Sequence, residues 1–100
     1  MPGYKLSKLA RLDLIEIADY TVDTWGADQA YRYLDSLGAS LHQLAQTPEM
    51  GRTCDAIRHG YRRIEHHKHV LFYRIEQDGI FISRILHQRM LPARHLMEDS

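Results

Sequence analysis

The chain has 100 residues and a mass of 11.7 kDa, enough for one hydrophobic core and too few for a second, so residues 1–100 are expected to form a single domain. Hydrophobic residues make up 44% and charged residues 26% of the sequence, values that exclude an intrinsically disordered chain. No apolar run approaches the roughly 20 residues of a membrane span, the N-terminus lacks the apolar segment of a secretory signal, and Cys54 has no second cysteine to pair with. We therefore expect a cytoplasmic protein with no membrane partner.

The net charge of zero hides an asymmetry between the two halves of the chain. Residues 1–50 carry four Lys or Arg against seven acidic residues, a net charge of −3, and residues 51–100 carry nine against six, a net charge of +3. The balanced total argues against nucleic-acid binding by bulk charge, and no direct sequence-specific binding of nucleic acid is expected. A local basic surface on the second half remains possible, as does a solvated charged face without a function.

A short first strand is predicted at Tyr4–Leu6, followed by a helix from the N-cap Ser7 to the glycine stop at Gly26. Six residues of this helix form a core-facing stripe at helical spacing: Ala10, Leu14, Ile17, Ala18, Thr21 and Trp25. Four further apolar residues lie off that stripe: Leu9, Leu12, Ile15 and Val22. Two explanations stay open for this second set: burial between the sheet and the next helix, or an exposed apolar groove that a partner covers.

A second helix is predicted from Ala27 to Leu44, because its apolar residues alternate at spacings of 3 and 4. Such a seam is typical of a helix that lies antiparallel against another. Gly38 interrupts it, which predicts a close helix crossing at that point. Pro48 and Gly51 end the segment, so residues 7 to about 46 are predicted to form a helical hairpin.

The second half is predicted to form strands, since its hydrophobic period changes from helical to alternating. Residues 61–65 alternate, His66-His67-Lys68 is a polar turn, and residues 69–75 are apolar on both faces, as in a central strand. Asp78-Gly79 indicates a hairpin that returns along residues 80–86, and Pro92 to Met97 favour a last short helical turn. The order β-α-α-β-β-β predicts an α+β fold with a helical hairpin packed on a mostly antiparallel sheet.

Histidines near the predicted turn are the first candidates for chemistry. His67 and His69 are expected to share one face while His66 points away, and their spacing does not match that of zinc ligands. We therefore expect solvated turn residues, no metal site and no cofactor. The chain also lacks a P-loop, a GxGxxG motif and a nucleophile elbow.

Basic residues on the predicted strands allow two interpretations. Arginines on a rigid sheet beside a histidine can stabilise a phosphoryl transition state, or they can be surface residues that pair with Glu65 and Glu76. The residues alone favour surface pairing, because no general base is placed beside them. The set comprises Arg62, Arg63, Arg74, Arg84, His87 and Arg89.

Blocks along nearly the whole chain resemble the ParE toxins of the RelE/ParE superfamily. The resemblance is carried by Tyr4-Lys5-Leu6-Ser7, Ala10 with Asp13-Leu14 and Ile17, Tyr20-Thr21, Trp25-Gly26 with Gln29-Ala30, Pro48 with Gly51-Arg52, Arg58 with Gly60-Tyr61-Arg62, His69-Val70-Leu71-Phe72-Tyr73-Arg74, and Ile85-Leu86-His87-Gln88-Arg89-Met90. It implies a β-α-α-β-β-β toxin that inhibits DNA gyrase and is held silent by a ParD-like antitoxin in a hetero-oligomer. In the family the antitoxin wraps the helical hairpin and the sheet edge.

Three sets of site residues follow from this resemblance and from the chemistry of the chain. The antitoxin is expected to bind Leu9, Leu12, Ile15, Val22, Arg62, Arg63 and Arg74. Gyrase is expected to dock on the basic stretch where the sheet ends, at Arg84, His87, Arg89 and Arg94. No catalytic residue is expected in a gyrase inhibitor. Under the alternative of a RelE-type, ribosome-dependent mRNA endonuclease, Arg63, Arg84 and His87 are the candidates, although the chain lacks that group's closely spaced lysines. A non-toxic member that retains only antitoxin binding is a third alternative.

Overall fold

The computed structural model of the chain describes residues 3–55 and 58–90. Its elements in chain order are β1 (Gly3–Leu6), α1 (Lys8–Trp25), α2 (Ala27–Gln46), β2 (Arg52–Thr53), β3 (Tyr61–His66), β4 (His69–Glu76) and β5 (Gly79–His87), with 3-10 turns at Pro48–Met50 and Gln88–Met90. The C-terminal helical turn expected after Pro92 lies outside the described residues. Within the described part of the chain, neither helix is long and apolar enough to cross a bilayer.

The five strands form one mixed sheet in the order β1-β5-β4-β3-β2. β1 runs parallel to β5 and every other pair is antiparallel, which confirms the predicted α+β class and the mostly antiparallel sheet. β4 is the central strand, as its apolar run predicted. The two-residue strand β2 was not predicted, because Arg52 and Thr53 are too few to show an alternating pattern.

The helix ends follow the predicted chemistry. The Ser7 hydroxyl accepts the N–H of Ala10 at 2.9 Å and donates to the Ser83 carbonyl at 2.7 Å, so the N-cap also fixes α1 to β5. Gly26 has φ 91°, a conformation that side-chain-bearing residues rarely adopt, and it joins the two helices without a longer loop. The helical hairpin, the predicted N-cap of α1 at Ser7 and the predicted glycine stop at Gly26 are therefore confirmed.

The core lies between the helices and one face of the sheet. Tyr73 is fully buried there, and its hydroxyl donates to the Pro48 carbonyl at 2.6 Å and accepts the N–H of Gly51 at 2.9 Å. This pair of hydrogen bonds ties the end of the helical hairpin to the central strand. The other large buried side chains of this layer are Ile17, Leu37, Leu41, Leu44, Leu71, Ile80, Ile82 and Ile85. A second, smaller cluster comprises Cys54, Val70, Phe72 and Leu86, with Tyr61 packed against it.

Two expectations about the helices are wrong. A Cβ placed on Gly38 would meet no atom within 4 Å, so the glycine does not mark a close helix crossing; it lies beside the apolar seam rather than in it. Trp25 was expected in the core, yet 67% of it is exposed. As the last residue of α1 it lies past the final core contact at Thr21, one turn earlier on the same side of the helix.

Both turns between the long strands contain two residues, and this corrects the predicted positions of the histidines. The first turn is His67-Lys68, with His67 at φ 54°. His66 and His69 are therefore direct cross-strand partners, and such partners share a face of the sheet. The expectation that His66 points away from His69 is wrong. The second turn is Gln77-Asp78, one residue before the predicted Asp78-Gly79.

Candidate functional site

Exposure decides between the two explanations for the off-stripe apolar residues of α1. Leu9, Leu12, Ile15 and Val22 are 53%, 48%, 56% and 45% exposed, so they are not buried between the sheet and α2. Because an α-helix turns about 100° per residue, Leu12, Ile15 and Val22 lie on the side of α1 that faces away from the core, and Leu9 lies beside Leu12. We call these four residues the α1 stripe. It is an apolar surface that the described part of the chain leaves uncovered.

A buried carboxylate fixes the opposite side of α1 to β5. Asp13 accepts two hydrogen bonds from Arg84, at 2.9 Å from Nε and 3.0 Å from Nη2, and a third from the backbone N–H of Ile85 at 3.0 Å. The pairing of β1 with β5 ends at Ile82, so this part of the β5 edge lacks a strand partner, and the carboxylate takes that place. The hydrogen bond to Asp13 raises the pKa of Arg84 above its ordinary value. The stripe is therefore presented by a helix with a fixed position.

The three arginines predicted to meet the antitoxin already have partners within the chain. Arg62 donates to the Gly51 carbonyl at 2.7 Å. Arg63 lies over the Phe72 ring, 5.7 Å from its centroid, and bonds Glu65 at 3.0 Å. The remaining arginine, Arg74, lies over the Phe81 ring at 4.4 Å and bonds Glu76 at 3.2 Å. The pairing with Glu65 and Glu76 that the sequence favoured is present, and both carboxylates weaken the attraction of these arginines for an external anion.

Tyr33 of α2 organises the histidines at one end of the sheet. Its hydroxyl lies 2.5 Å from Nδ1 of His69 and its ring contacts those of His66, His67 and His69. Burial, followed by the nearby His87 and His66, lowers the pKa of His69 to about 4, so at neutral pH the imidazole ring is uncharged. Burial raises the pKa of Tyr33 to about 12. The pair is therefore a neutral hydrogen bond.

His66 is held separately, by Ser40 at Nδ1 (2.9 Å) and by Ser36 at Nε2 (3.3 Å). Burial and the neighbouring His67 lower its pKa below the ordinary value. Among residues 3–55 and 58–90, no group of three or more His, Cys, Asp or Glu side chains is placed to hold a metal ion. The histidines therefore join the strand turn to α2.

A groove of about 460 Å³ lies between the helical hairpin and the β3–β4 turn. We call it the tip groove. Aromatic and cationic side chains from both helices, the turn and the end of β5 line it: Tyr20, Trp25, Arg32, Tyr33, Lys68, His69, His87 and Arg89. A neighbouring groove of about 320 Å³ shares Tyr20, His69, His87 and Arg89 and continues along α1 to Glu16 and Asp13.

Known proteins with the same sequence pattern identify the family. Residues 4–92 match the family model described as the ParE toxin of the type II toxin–antitoxin system parDE. The chain belongs to the ParE toxin family. It is 47% identical over 94 residues to Toxin ParE1 of Mycobacterium tuberculosis, covering 93% of this chain and 96% of that protein, and 40% identical over 96 residues to Toxin ParE1 of Caulobacter vibrioides, covering 96% and 99%.

A solved structure confirms the fold of this ParE-family toxin. A chain of the structure titled "Chromosomal ParDE TA system from P. aeruginosa" superposes with a TM-score of 0.72 at 24% sequence identity, covering 87% of this toxin and 96% of that chain. Two helices packed on a five-stranded mixed sheet are therefore a fold that the two proteins share.

The residues predicted to dock gyrase fall in three different environments in this ParE toxin. Arg84 is engaged by Asp13, so its charge is compensated within the chain. His87 accepts the backbone N–H of Arg89 at 3.0 Å, and both residues line the two grooves. Arg94 lies outside the described residues. Of the predicted set, the structure brings together His87 and Arg89.

The residues proposed for a ribonuclease are engaged in separate interactions. Arg63 pairs with Glu65 and Phe72, Arg84 pairs with Asp13, and the His87 ring packs against that of His69 at 5.3 Å. None of the three is joined to another by a hydrogen bond within the described residues. These three residues therefore do not form one hydrogen-bonded group.

The sequence reasoning missed Asp13 and Tyr33. Asp13 falls between Ala10 and Ile17 at helical spacing on the core face of α1, and an acid at such a position requires a buried partner. That signal was available in the sequence, although its partner Arg84 was not, because 71 residues separate the two. Tyr33 gave no such signal, since its role depends on the histidine turn folding back onto α2.

Proposed function

We propose that this toxin acts in the cytoplasm by inhibiting DNA gyrase, and that a ParD-like antitoxin neutralises it by laying an apolar helical segment along the α1 stripe. Membership of the ParE family supports the first part. The exposure of the α1 stripe supports the second part, the binding of an antitoxin. A small protein of 100 residues rarely leaves four large apolar side chains along one helix exposed to solvent unless a partner covers them. A helix carrying Leu, Val or aromatic side chains every three to four residues would match this surface.

The predicted arginines contribute to this complex differently from the α1 stripe. Arg62, Arg63 and Arg74 lie on β3 and β4 rather than on α1, so an antitoxin that meets both surfaces has to extend past the helix. Since Arg63 and Arg74 already share carboxylates within the chain, a further carboxylate gains less from them than from a free cation. We propose that they set the register of the antitoxin and that the stripe provides most of the affinity.

The antitoxin site is tested by comparing apolar and charged substitutions. Leu12→Asp or Ile15→Asp is expected to weaken antitoxin binding by about 2 kcal/mol or more, the effect of losing an interface anchor. Arg63→Ala is expected to weaken it by less than about 1 kcal/mol. Calorimetric titration gives the affinities, and circular dichroism confirms that each variant folds. Unchanged binding by both folded aspartate variants contradicts the assignment of the stripe.

Gyrase as the target is tested by a supercoiling assay. Purified toxin incubated with gyrase and plasmid is expected to reduce supercoiling or to trap cleaved DNA, and the antitoxin is expected to reverse the effect. Ribosome-dependent cleavage of messenger RNA with gyrase untouched would instead support the RelE-type alternative. Expression without antitoxin is expected to arrest growth, and normal growth with folded protein would identify a non-toxic member.

A further inference from the structure

The tip groove has an aromatic wall that the core does not use. Tyr20 is 63% exposed and Trp25 is 67% exposed, and both face the same concave space as the Tyr33 ring. The Tyr33 hydroxyl is already bonded to His69, so its ring presents an apolar surface with its polar end satisfied. Exposed aromatic rings in a concave site are the side chains that most often anchor a bound peptide.

The same groove carries positive charge from three elements. Arg32 comes from α2, Lys68 from the β3–β4 turn and Arg89 from the 3-10 turn after β5, and all three are exposed. Within the described residues, none of the three forms an ion pair, and no carboxylate lines this groove. This distinguishes them from Arg52, Arg63, Arg74 and Arg84, each of which is paired.

We propose that the tip groove is the target-binding site of the toxin and takes an acidic peptide segment of gyrase. Carboxylates of that segment would meet Arg32, Lys68 and Arg89, and an apolar or aromatic side chain would lie between Tyr20 and Trp25. The inference rests on the proposed function. It keeps His87 and Arg89 from the predicted docking set and moves the centre of the contact from Arg84 to the tip of the helical hairpin.

Charge around the groove favours a short peptide over a nucleic acid. Exposed carboxylates lie beside it: Asp28 and Asp35 are four residues before and three residues after Arg32 on α2, and Glu16 lines the neighbouring groove. A phosphodiester chain long enough to leave the groove would approach these side chains, and the net charge of the whole chain is zero. A short peptide with a few carboxylates can instead pair with the three cations without extending to the surrounding acidic side chains.

The cations of the tip groove and the α1 stripe lie on different elements. Arg32 lies on α2 and Lys68 in the β3–β4 turn, whereas the stripe lies on α1; the two surfaces adjoin at Val22 and Trp25, which are neighbours at a spacing of three on that helix. Substitutions of Arg32 and Lys68 are therefore expected to change the action on gyrase and to leave antitoxin binding unaffected. This difference separates a target site from a second antitoxin contact.

Charge reversal in the groove tests the proposal. Arg32→Glu and Lys68→Glu are each expected to raise the toxin concentration needed for half-inhibition of gyrase supercoiling by about tenfold or more. Lys5→Glu is the matched control, because Lys5 is an exposed cation on β1 at the other end of the sheet; its inhibition should equal that of the wild type. Antitoxin affinity is measured for all three variants and should not change.

The ligand class is tested with the only tryptophan of the chain, Trp25, as an internal fluorescent probe. Overlapping synthetic peptides from both gyrase subunits, free of tryptophan, are titrated into the toxin. Acidic peptides are expected to change Trp25 fluorescence saturably, and Arg32→Glu should abolish that response.

Three results would overturn the assignment. Groove variants that inhibit gyrase as strongly as the wild type would place the target contact elsewhere, with the proposed function intact. A saturable response to single-stranded oligonucleotides, with none to any peptide, would replace the peptide by a nucleic acid. Wild-type toxin that leaves gyrase unaffected would reject the proposed function together with its target site.

Discussion

The contact between Asp13 and β5 is expected to contribute more to the stability of the fold than an exposed ion pair does. The Asp13 side chain is 10% exposed and accepts three hydrogen bonds, two from Arg84 and one from the Ile85 N–H. Asp13→Ala leaves the buried Ile85 donor without a partner, which costs about 1–3 kcal/mol. It also leaves the Arg84 guanidinium without its counter-ion. Losing one partner of a fully buried pair costs about 3–5 kcal/mol, and the 37% exposure of the Arg84 side chain reduces this share.

We therefore expect Asp13→Ala to lower the free energy of unfolding by about 2–4 kcal/mol, less than the sum of the two separate costs because the groups share one site. With a urea m-value of about 1.5 kcal/mol/M, the midpoint of urea denaturation falls by about 1–3 M. Asp13→Asn retains an oxygen for the Ile85 N–H and loses the charge, so its loss should be about half as large.

Asp23→Ala provides the control, since Asp23 is an exposed acid of the same helix with no ion pair among the described residues. It is expected to change the free energy of unfolding by less than about 0.5 kcal/mol. Equal midpoints for Asp13→Ala and this control would refute the argument that the carboxylate fixes α1 to the sheet.

Three further predictions concern stability. Burial, with His87 and His66 nearby, lowers the pKa of His69 in the folded chain to about 4, whereas the pKa of a histidine in the unfolded chain is about 6.5. Because the unfolded chain therefore binds the proton at a higher pH, the free energy of unfolding should fall as the pH drops from about 6.5 to about 4. In urea titrations His69→Asn should reduce this loss. Gly38→Ala should stabilise the chain by about 0.5–1 kcal/mol, because a Cβ there meets no atom within 4 Å; a lower thermal midpoint would contradict this. Gly79→Ala should destabilise it, because the Cβ would overlap backbone of β1 and φ is 147°; unchanged exchange of the β1 amides would count against that reasoning.

The helical hairpin and the central strand could be predicted from sequence because their signals are local. Ser7 and Gly26 act on the backbone within one turn of where they lie, and the apolar run of β4 is buried on both faces. The exposure of the α1 stripe was only half predictable. Its four apolar residues were evident, but whether another part of the chain covered them depended on where α2 and the sheet came to lie.

Tertiary structure alone decided the contacts that link distant parts of the chain. The partner of Asp13 lies 71 residues away, and no periodicity connects the two positions. The placement of His66 beside His69 followed from a turn of two residues rather than three, because a change of one residue in a hairpin register moves a side chain to the other face of the sheet. The tip groove likewise exists only where α1, α2, the β3–β4 turn and the end of β5 meet, since local sequence specifies each element and the packing between elements specifies which side chains share a surface.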